Sequence, residues 1–445
     1  MKKIIALTMV LAMLLCGCGK EETPETTAAP VTEATAAPTT EPTTVPTTEP
    51  VPVYVNPLTG EEIEEPLTNR IFGFSIGNTK EALPHYGVSK ADLLFESFVN
   101  GLTTRRFAMY SNVQDVTAIG GIRSMRVQWT DLCQAYDAVG VHAAGSGYVL
   151  GDMHENGIDN IYGEQWDGDF HYRDKERMRT GTSMEHVLYD RGADIVPFAE
   201  SQGIRVTQDA EKDYGMHFAE IPSSENGEAA DIVNITFILS GREKPTTMTY
   251  HKNTGSYSMN QYGVEMVDGI YNNTPELFKN VFALEFNYHG EYNVYHVPET
   301  VGDGTGFFAC DGKIIPIQWH RADANSPFTF TLEDGTPLQQ GVGNSYIAMI
   351  PTGSTVTWEA AETEDAVLPE QPAAEAAETG AEAEPETQAA APVVETEAVP
   401  AAETEAAAPV METEAVPAAE TVQQTEEPRE APEMPAGAGD GPVAG

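Results

Sequence analysis

Basic side chains are scarce in this chain: 24 lysines and arginines stand against 69 aspartates and glutamates, a formal net charge of −45. Nucleic-acid binding depends on Lys and Arg neutralising phosphates, so no nucleic-acid partner is expected. The same deficit argues against close apposition to an anionic lipid surface. Cysteine is also scarce, with four in 445 residues. No CxxC pair or Cys/His spacing suited to zinc occurs. Apolar runs are short as well. The longest, near the start, holds about a dozen residues, too few to span a bilayer as a helix. Walker loops, dinucleotide fingerprints and HExxH spacings are missing, and VGDGTGFF (301–308) lacks the lysine and helix context of a phosphate loop. Neither a metal nor a cofactor is expected.

What is present divides into five parts. Residues 1–18, MKKIIALTMVLAMLLCGC, have a basic start, an apolar stretch and small residues at the end, the pattern of a secretory signal. The run LCGC resembles a bacterial lipobox, with Cys18 as the lipidated residue and Cys16 as the alternative. The expected partner is therefore the membrane, through an acyl anchor of the palmitate kind on its extracytoplasmic face, in the Gram-positive manner. Residues 19–54 are rich in Thr, Pro, Ala and Glu and cannot bury enough surface to fold; they read as an extended stalk. Residues 359–445 form an acidic Ala/Glu/Pro tail in which APVVETEAVPAAETE returns as APVMETEAVPAAETV. Its period is too poor in core formers for a solenoid, and its glutamates repel one another. About half of the net charge lies in these two low-complexity segments.

The foldable middle reads as α+β or mixed α/β. Residues 55–215 are expected to form an N-terminal sheet with covering helices. IFGFSIGN, ADLLFESFVN and TTRRFAMYS predict strands, the last two joined near Gly101. VQWTDLCQAYDA and GTSMEHVLYDRGADIVPFAESQG (181–203) predict helices, and VGVHAAGS predicts a short strand. Residues 216–358 are a series of short β-branched and aromatic runs, with Asp-Gly turns at 311–312 and 334–335, and predict a mostly antiparallel β domain. Cys133 and Cys310 fall one in each half. They read as buried small hydrophobes, with a disulfide as the alternative.

Taken in order, NPLTGE (56–61), ADLLFES with TRRFAMYS, GGIRSMR, VHAAGS, FHYRD (170–174) and His186 resemble the domain-of-unknown-function 3048 family, the YerB-like bacterial lipoproteins. IPIQWHR through FTFTLEDGTPLQQGVGNSYIAMIP resembles that family's second, smaller domain. The resemblance covers about Asn56 to Trp358. Gly121, Met125 and Ala144 depart mildly from the pattern. It implies an envelope location and a two-domain head, and no chemistry.

GGIRSMR is the basic feature that stands out. If a helix opens near Arg123, then Arg123 and Arg126 lie one turn apart beside free N–H groups, with Ser124 as a cap. That would make a carboxylate or phosphate clamp. The alternative is internal pairing with Asp92, Glu96 or Asp131. In VHAAGS, His142 and Ser146 could face a ligand, although Gly145-Ser146-Gly147 is not a nucleophile elbow. His171, Arg173 and Asp174 alternate with aromatics close to His186 and could enlarge the same pocket, which Trp319, His320 and Arg321 could wall. Arg105 and Arg106 must point to opposite faces of their strand. The candidate ligand-binding set is Arg123, Arg126, Ser124, His142, Ser146, Arg173, His186 and Glu96. The expected function is an extracytoplasmic binding lipoprotein of the cell envelope, recognising an anionic cell-wall fragment or a protein partner. The alternatives are an envelope hydrolase or transferase with His142 or His186 as base, or a purely structural scaffold.

Overall fold

A computed structural model describes residues 53–361 apart from 100–102, 164–169, 210 and 292–294. The signal segment with Cys18, nearly all of the stalk and nearly all of the acidic tail lie outside the described residues.

Alternation with a period of two builds the centre of the molecule. In β1 (Phe72–Asn78), β2 (Leu93–Phe98) and β3 (Thr104–Tyr110) every residue is buried, so both faces of these strands meet a core. Phe72, Phe74, Ile76, Leu94, Phe98, Ala108 and Tyr110 face one apolar cluster. Leu93, Phe95, Phe107 and Met109 face the other. On that second side lies α1 (Val127–Ala135), whose Trp129 stacks on Phe107 with centroids 5.5 Å apart. Next come β4 (Val139–His142), α2 (Gly147–Glu155), β5 (Asn160–Tyr162), the short α3 (Lys175–Arg179) and α4 (Gly192–Ser201).

The helix expected over 181–203 is instead three elements. Met184–His186 is a 3₁₀ turn, Leu188–Asp190 is a strand, and only α4 is a regular helix. Strand pairing overrides helix propensity here, because Leu188–Asp190 lies between Ile119–Gly120 and Tyr172–Arg173 in a three-stranded sheet.

The second half supplies β6 (Ile232–Leu239), β7 (Arg242–His251), β8 (Ser256–Gln261), β9 (Asn280–Phe286), β10 (Gly302–Cys310), β11 (Lys313–Arg321), β12 (Ser345–Pro351) and β13 (Thr355–Glu359). An 11-stranded sheet runs Glu228–Ala229, β11, β10, β9, β12, β2, β3, β1, β4, β5, with Thr329–Thr331 attached to β11. Strands from both sides of residue 215 share this sheet. At the junction β12 pairs in parallel with β2, from Ser345 opposite Leu93 to Met349 opposite Ser97. The contacts β9–β12, β1–β4 and β4–β5 are also parallel, and the rest are antiparallel. A second, antiparallel sheet contains β8, β7, β6 and β13. Its Val233, Ile235, Phe237, Met248 and Met259 close the first apolar cluster over β9 and β12. The architecture is thus α+β with substantial strand content. Cys133 and Cys310 are buried free thiols.

Candidate functional site

The glycine–arginine turn does gather the motifs around it. A Cβ on Gly120 would lie 2.7 Å from the Leu188 carbonyl oxygen, and one on Gly121 would lie 2.4 Å from that of His186. Only glycine permits so close an approach. Beyond the glycines, the Arg123 N–H donates to the Ser75 carbonyl at 2.7 Å, Ala143 donates to the Arg123 carbonyl at 3.0 Å, and Met125 donates to that of Ala144 at 2.7 Å. GGIRSMR, VHAAGS and the 184–188 segment therefore meet through their backbones.

The two arginines of the turn bond internal groups. The helix starts at Val127 with Arg126 as its N-cap, so Arg123 is not on it and the expected shared helical face does not form. Nη1 of Arg123 bonds both the Glu185 carbonyl oxygen, at 2.9 Å, and its carboxylate Oε2, at 2.8 Å. The Arg123 charge is the main reason that the Glu185 carboxyl sits below its ordinary value. Arg126 is buried and donates to the Met125 carbonyl at 2.7 Å and, at 3.4 Å, to that of Ser124. Ser124 acts through this same carbonyl, which also accepts from the Ser75 hydroxyl at 2.9 Å and from Arg105 at 2.6 Å.

The acids expected as partners of Arg123 and Arg126 meet other groups. Asp92 accepts from Asn56 at 3.0 Å and from the Ser111 N–H at 2.6 Å. Asp131 lies 3.8 Å from Arg321 and accepts from Thr300. Glu96 is on the opposite face of the sheet from α1, as alternation with Phe95 requires. There it meets Arg106, the neighbour of Arg105 that points the other way, together with Lys244, Asn78, Gln261 and Tyr346. Glu276 closes this buried network, with Arg106 at 2.7 Å and His85 at 3.3 Å.

Of the two histidines expected as bases, His142 has both ring nitrogens bonded, whereas Nδ1 of His186 has no hydrogen-bond partner among the described residues. His142 is buried, with Nδ1 against the Ala144 carbonyl at 2.9 Å and Nε2 against Asn160 at 3.3 Å. Burial pushes its imidazole down to about 4. His186 is lowered as well, first by burial and then by Arg123. Ser146 precedes α2 without a side-chain capping bond. Trp319, His320 and Arg321 lie on β11, near the far end of the sheet order from β4, and do not wall this region.

A cleft lies next to the turn, where FHYRD folds. It encloses about 680 Å³ and is lined by Tyr86, His171, Tyr172, Arg173, Asp174, Lys175, Tyr189 and Ile270. Strand pairing sets Tyr172 opposite Tyr189, with ring centroids 5.7 Å apart. Tyr86 meets Tyr189 edge-on at 6.1 Å. The rings are held from behind: Arg177 packs over Tyr86 at 5.6 Å and Arg191 over Tyr172 at 4.3 Å. Asp174 caps α3, taking the N–H groups of Glu176 and Arg177 on Oδ1 and the Tyr86 hydroxyl on Oδ2. Burial, reinforced by Asp174, pushes the Tyr86 hydroxyl up to about 12, so it remains a donor. With that carboxylate engaged and Asp190 bonded to His171 away from solvent, the cationic side chains lining the cleft are the half-buried Arg173 and the exposed Lys175. Arg173 also donates to the Met184 carbonyl at 3.0 Å. Sequence reasoning missed Tyr86, Lys175, Tyr189 and Ile270. The recurrence of His-Tyr-Arg-Asp and Leu-Tyr-Asp, with their tyrosines in register, was the available signal.

Comparison with known proteins agrees with the arrangement of motifs. The chain matches the model of the DUF3048 N-terminal domain, a protein of unknown function, over residues 58–205, and that of the DUF3048 C-terminal domain over residues 233–347. It is 23% identical over 301 residues to the Bacillus subtilis protein named "Putative lipoprotein YerB", covering 66% of this chain and 86% of the relative. The crystal structure of YerB from Bacillus subtilis superposes with a TM-score of 0.60 at 22% identity, over 68% of this chain and 99% of that one. With both family domains present in order and together spanning more than half of its length, the chain belongs to the DUF3048 family.

Proposed function

We propose that the chain is an extracytoplasmic binding protein, lipid-anchored through Cys18, that holds a small anionic ligand of the cell envelope in the tyrosine cleft. The cleft carries the reading: a pre-formed cavity of about 680 Å³ with fixed rings and two cationic side chains, Arg173 and Lys175, in its lining, within a strongly acidic protein. The lipobox-like LCGC and the lipoprotein name of the Bacillus subtilis relative support the anchor. The arginine turn is reassigned from ligand clamp to support, because Arg123 ties the turn to Glu185 and Arg126 bonds the carbonyls of its own segment.

Calorimetry on the full chain in detergent, titrated with a muramidase digest of peptidoglycan, tests the site. Lys175→Gln combined with Arg173→Gln should weaken binding at least tenfold, while Arg123→Ala leaves it within about twofold. Loss of binding in Arg123→Ala with no change in the double variant would return the site to the turn. Cys18→Ala should abolish acyl labelling and release the protein from membranes; continued labelling would reject the anchor.

A further inference from the structure

At the edge of the cleft is a histidine with one nitrogen spoken for and one not. Nδ1 of His171 lies 2.6 Å from Oδ1 of Asp190, and both side chains are fully buried. In the tautomer that donates Nδ1–H to this carboxylate, Nε2 is a lone-pair acceptor. Among the described residues Nε2 has no hydrogen-bond partner, although His171 is only 1% exposed and lines the cavity. A buried acceptor left unmade is costly and is the exception in native proteins. Beside a cavity, its natural complement is a donor that arrives with a ligand.

The remaining walls restrict what that ligand is. Tyr86, Tyr172 and Tyr189 are half-buried, and their rings are fixed by Asp174, Asp194, Arg177 and Arg191. Fixed, partly exposed rings give apolar contact at little entropic cost. A charged sugar offers an apolar face, a hydroxyl donor and an anionic group together: its ring C–H groups would lie on the tyrosines and one hydroxyl would donate to Nε2. Resting on the binding function assigned to this cleft, we infer that its ligand is a saccharide bearing a carboxylate or phosphate, with His171 accepting a sugar hydroxyl and Asp190 fixing the tautomer.

The full chain in detergent would be titrated with four probes: N-acetylglucosaminyl–N-acetylmuramic acid, N-acetylglucosamine 1-phosphate, inorganic phosphate and cellobiose. The first two separate a carboxylate sugar from a phosphate sugar, and at least one should bind more than tenfold tighter than phosphate or cellobiose. Asp190→Asn lets the amide donate to Nδ1 and moves the ring proton to Nε2, so sugar binding should weaken about tenfold. His171→Phe, which keeps a buried ring, should do the same, and Tyr189→Leu should weaken both sugars but not phosphate. As a control on folding, a deoxy sugar lacking the donated hydroxyl should lose its disadvantage in His171→Phe. Phosphate binding as tightly as either sugar, or sugar affinity unchanged in both His171→Phe and Asp190→Asn, would overturn the saccharide assignment and leave an anion site intact. No binding of any anionic probe or of the peptidoglycan digest would remove the binding function itself.

Discussion

Replacing Glu96 by glutamine removes one charge from the buried network without changing its shape, and the structure sets both the size and the pH signature of the loss. Burial alone would raise the Glu96 carboxyl; Lys244 and Arg106 overcome it and hold the group at about 2, against an ordinary 4.5. The folded value is depressed, so this stabilisation is complete above the ordinary value and is lost as pH falls toward 2. At neutral pH it corresponds to about 3 kcal/mol, on the order of a few hundredfold in the folded-to-unfolded ratio. That agrees with the 3–5 kcal/mol typical of breaking a buried ion pair. The partner points the other way. Burial pushes the Lys244 ammonium down to about 8 in spite of Glu96. Glu96 is the better guide, because it meets two cations and three neutral donors, whereas Lys244 meets one carboxylate and is repelled by Arg106. Above pH 8 Lys244 loses its proton in the folded parent, and the advantage of Glu96 declines again. Urea unfolding followed by tryptophan fluorescence from pH 3 to 9.5 should therefore give a difference between Glu96→Gln and parent that peaks between about pH 5 and 8. A difference below 1 kcal/mol at pH 7, or one flat across the range, would refute the electrostatic account.

Three further outcomes follow from the same structure. Gly121→Ala places a Cβ 2.4 Å from the His186 carbonyl oxygen and should cost about 2 kcal/mol in thermal melts, whereas Gly147→Ala, with nothing within 4 Å, should be near neutral; equal effects would contradict the close-approach argument. The His142 ring, held near 4 by burial, should show no NMR titration between pH 5.5 and 8. The unfolded chain takes up this proton below its ordinary value of 6.5 while the folded one does not, so His142 makes stability fall with acidification between about 6.5 and 4, and a midpoint near 6.5 in the folded protein would reject its burial. Burial pushes the Cys133 and Cys310 thiols each up to about 12, so both should resist alkylation until the chain unfolds, as read by mass spectrometry; rapid labelling of either in the native state would contradict this.

The strands of the first half were legible because their apolar residues alternate, and the same alternation separated Arg105 from Arg106 correctly. The parallel pairing of β12 with β2 was not, since no local signal links Tyr346 to Glu96 across 250 residues. The segment 181–203 has enough apolar residues at helical spacing to pass for one helix, but the two strands flanking Leu188–Asp190 capture its middle. The arginine turn shows the deeper difficulty. Residue type indicates that a guanidinium seeks oxygen, without saying whose. In this fold nearby carbonyls and Glu185 are closer to hand than any outside anion, so the most conspicuous basic motif is spent on architecture. The cleft, by contrast, is assembled from Tyr86, Tyr172, Tyr189 and Ile270, which sit in separate stretches and stand out in none of them. Its most informative atom, Nε2 of His171, is defined by a partner it lacks, and a missing contact can be recognised only once every other contact has been placed.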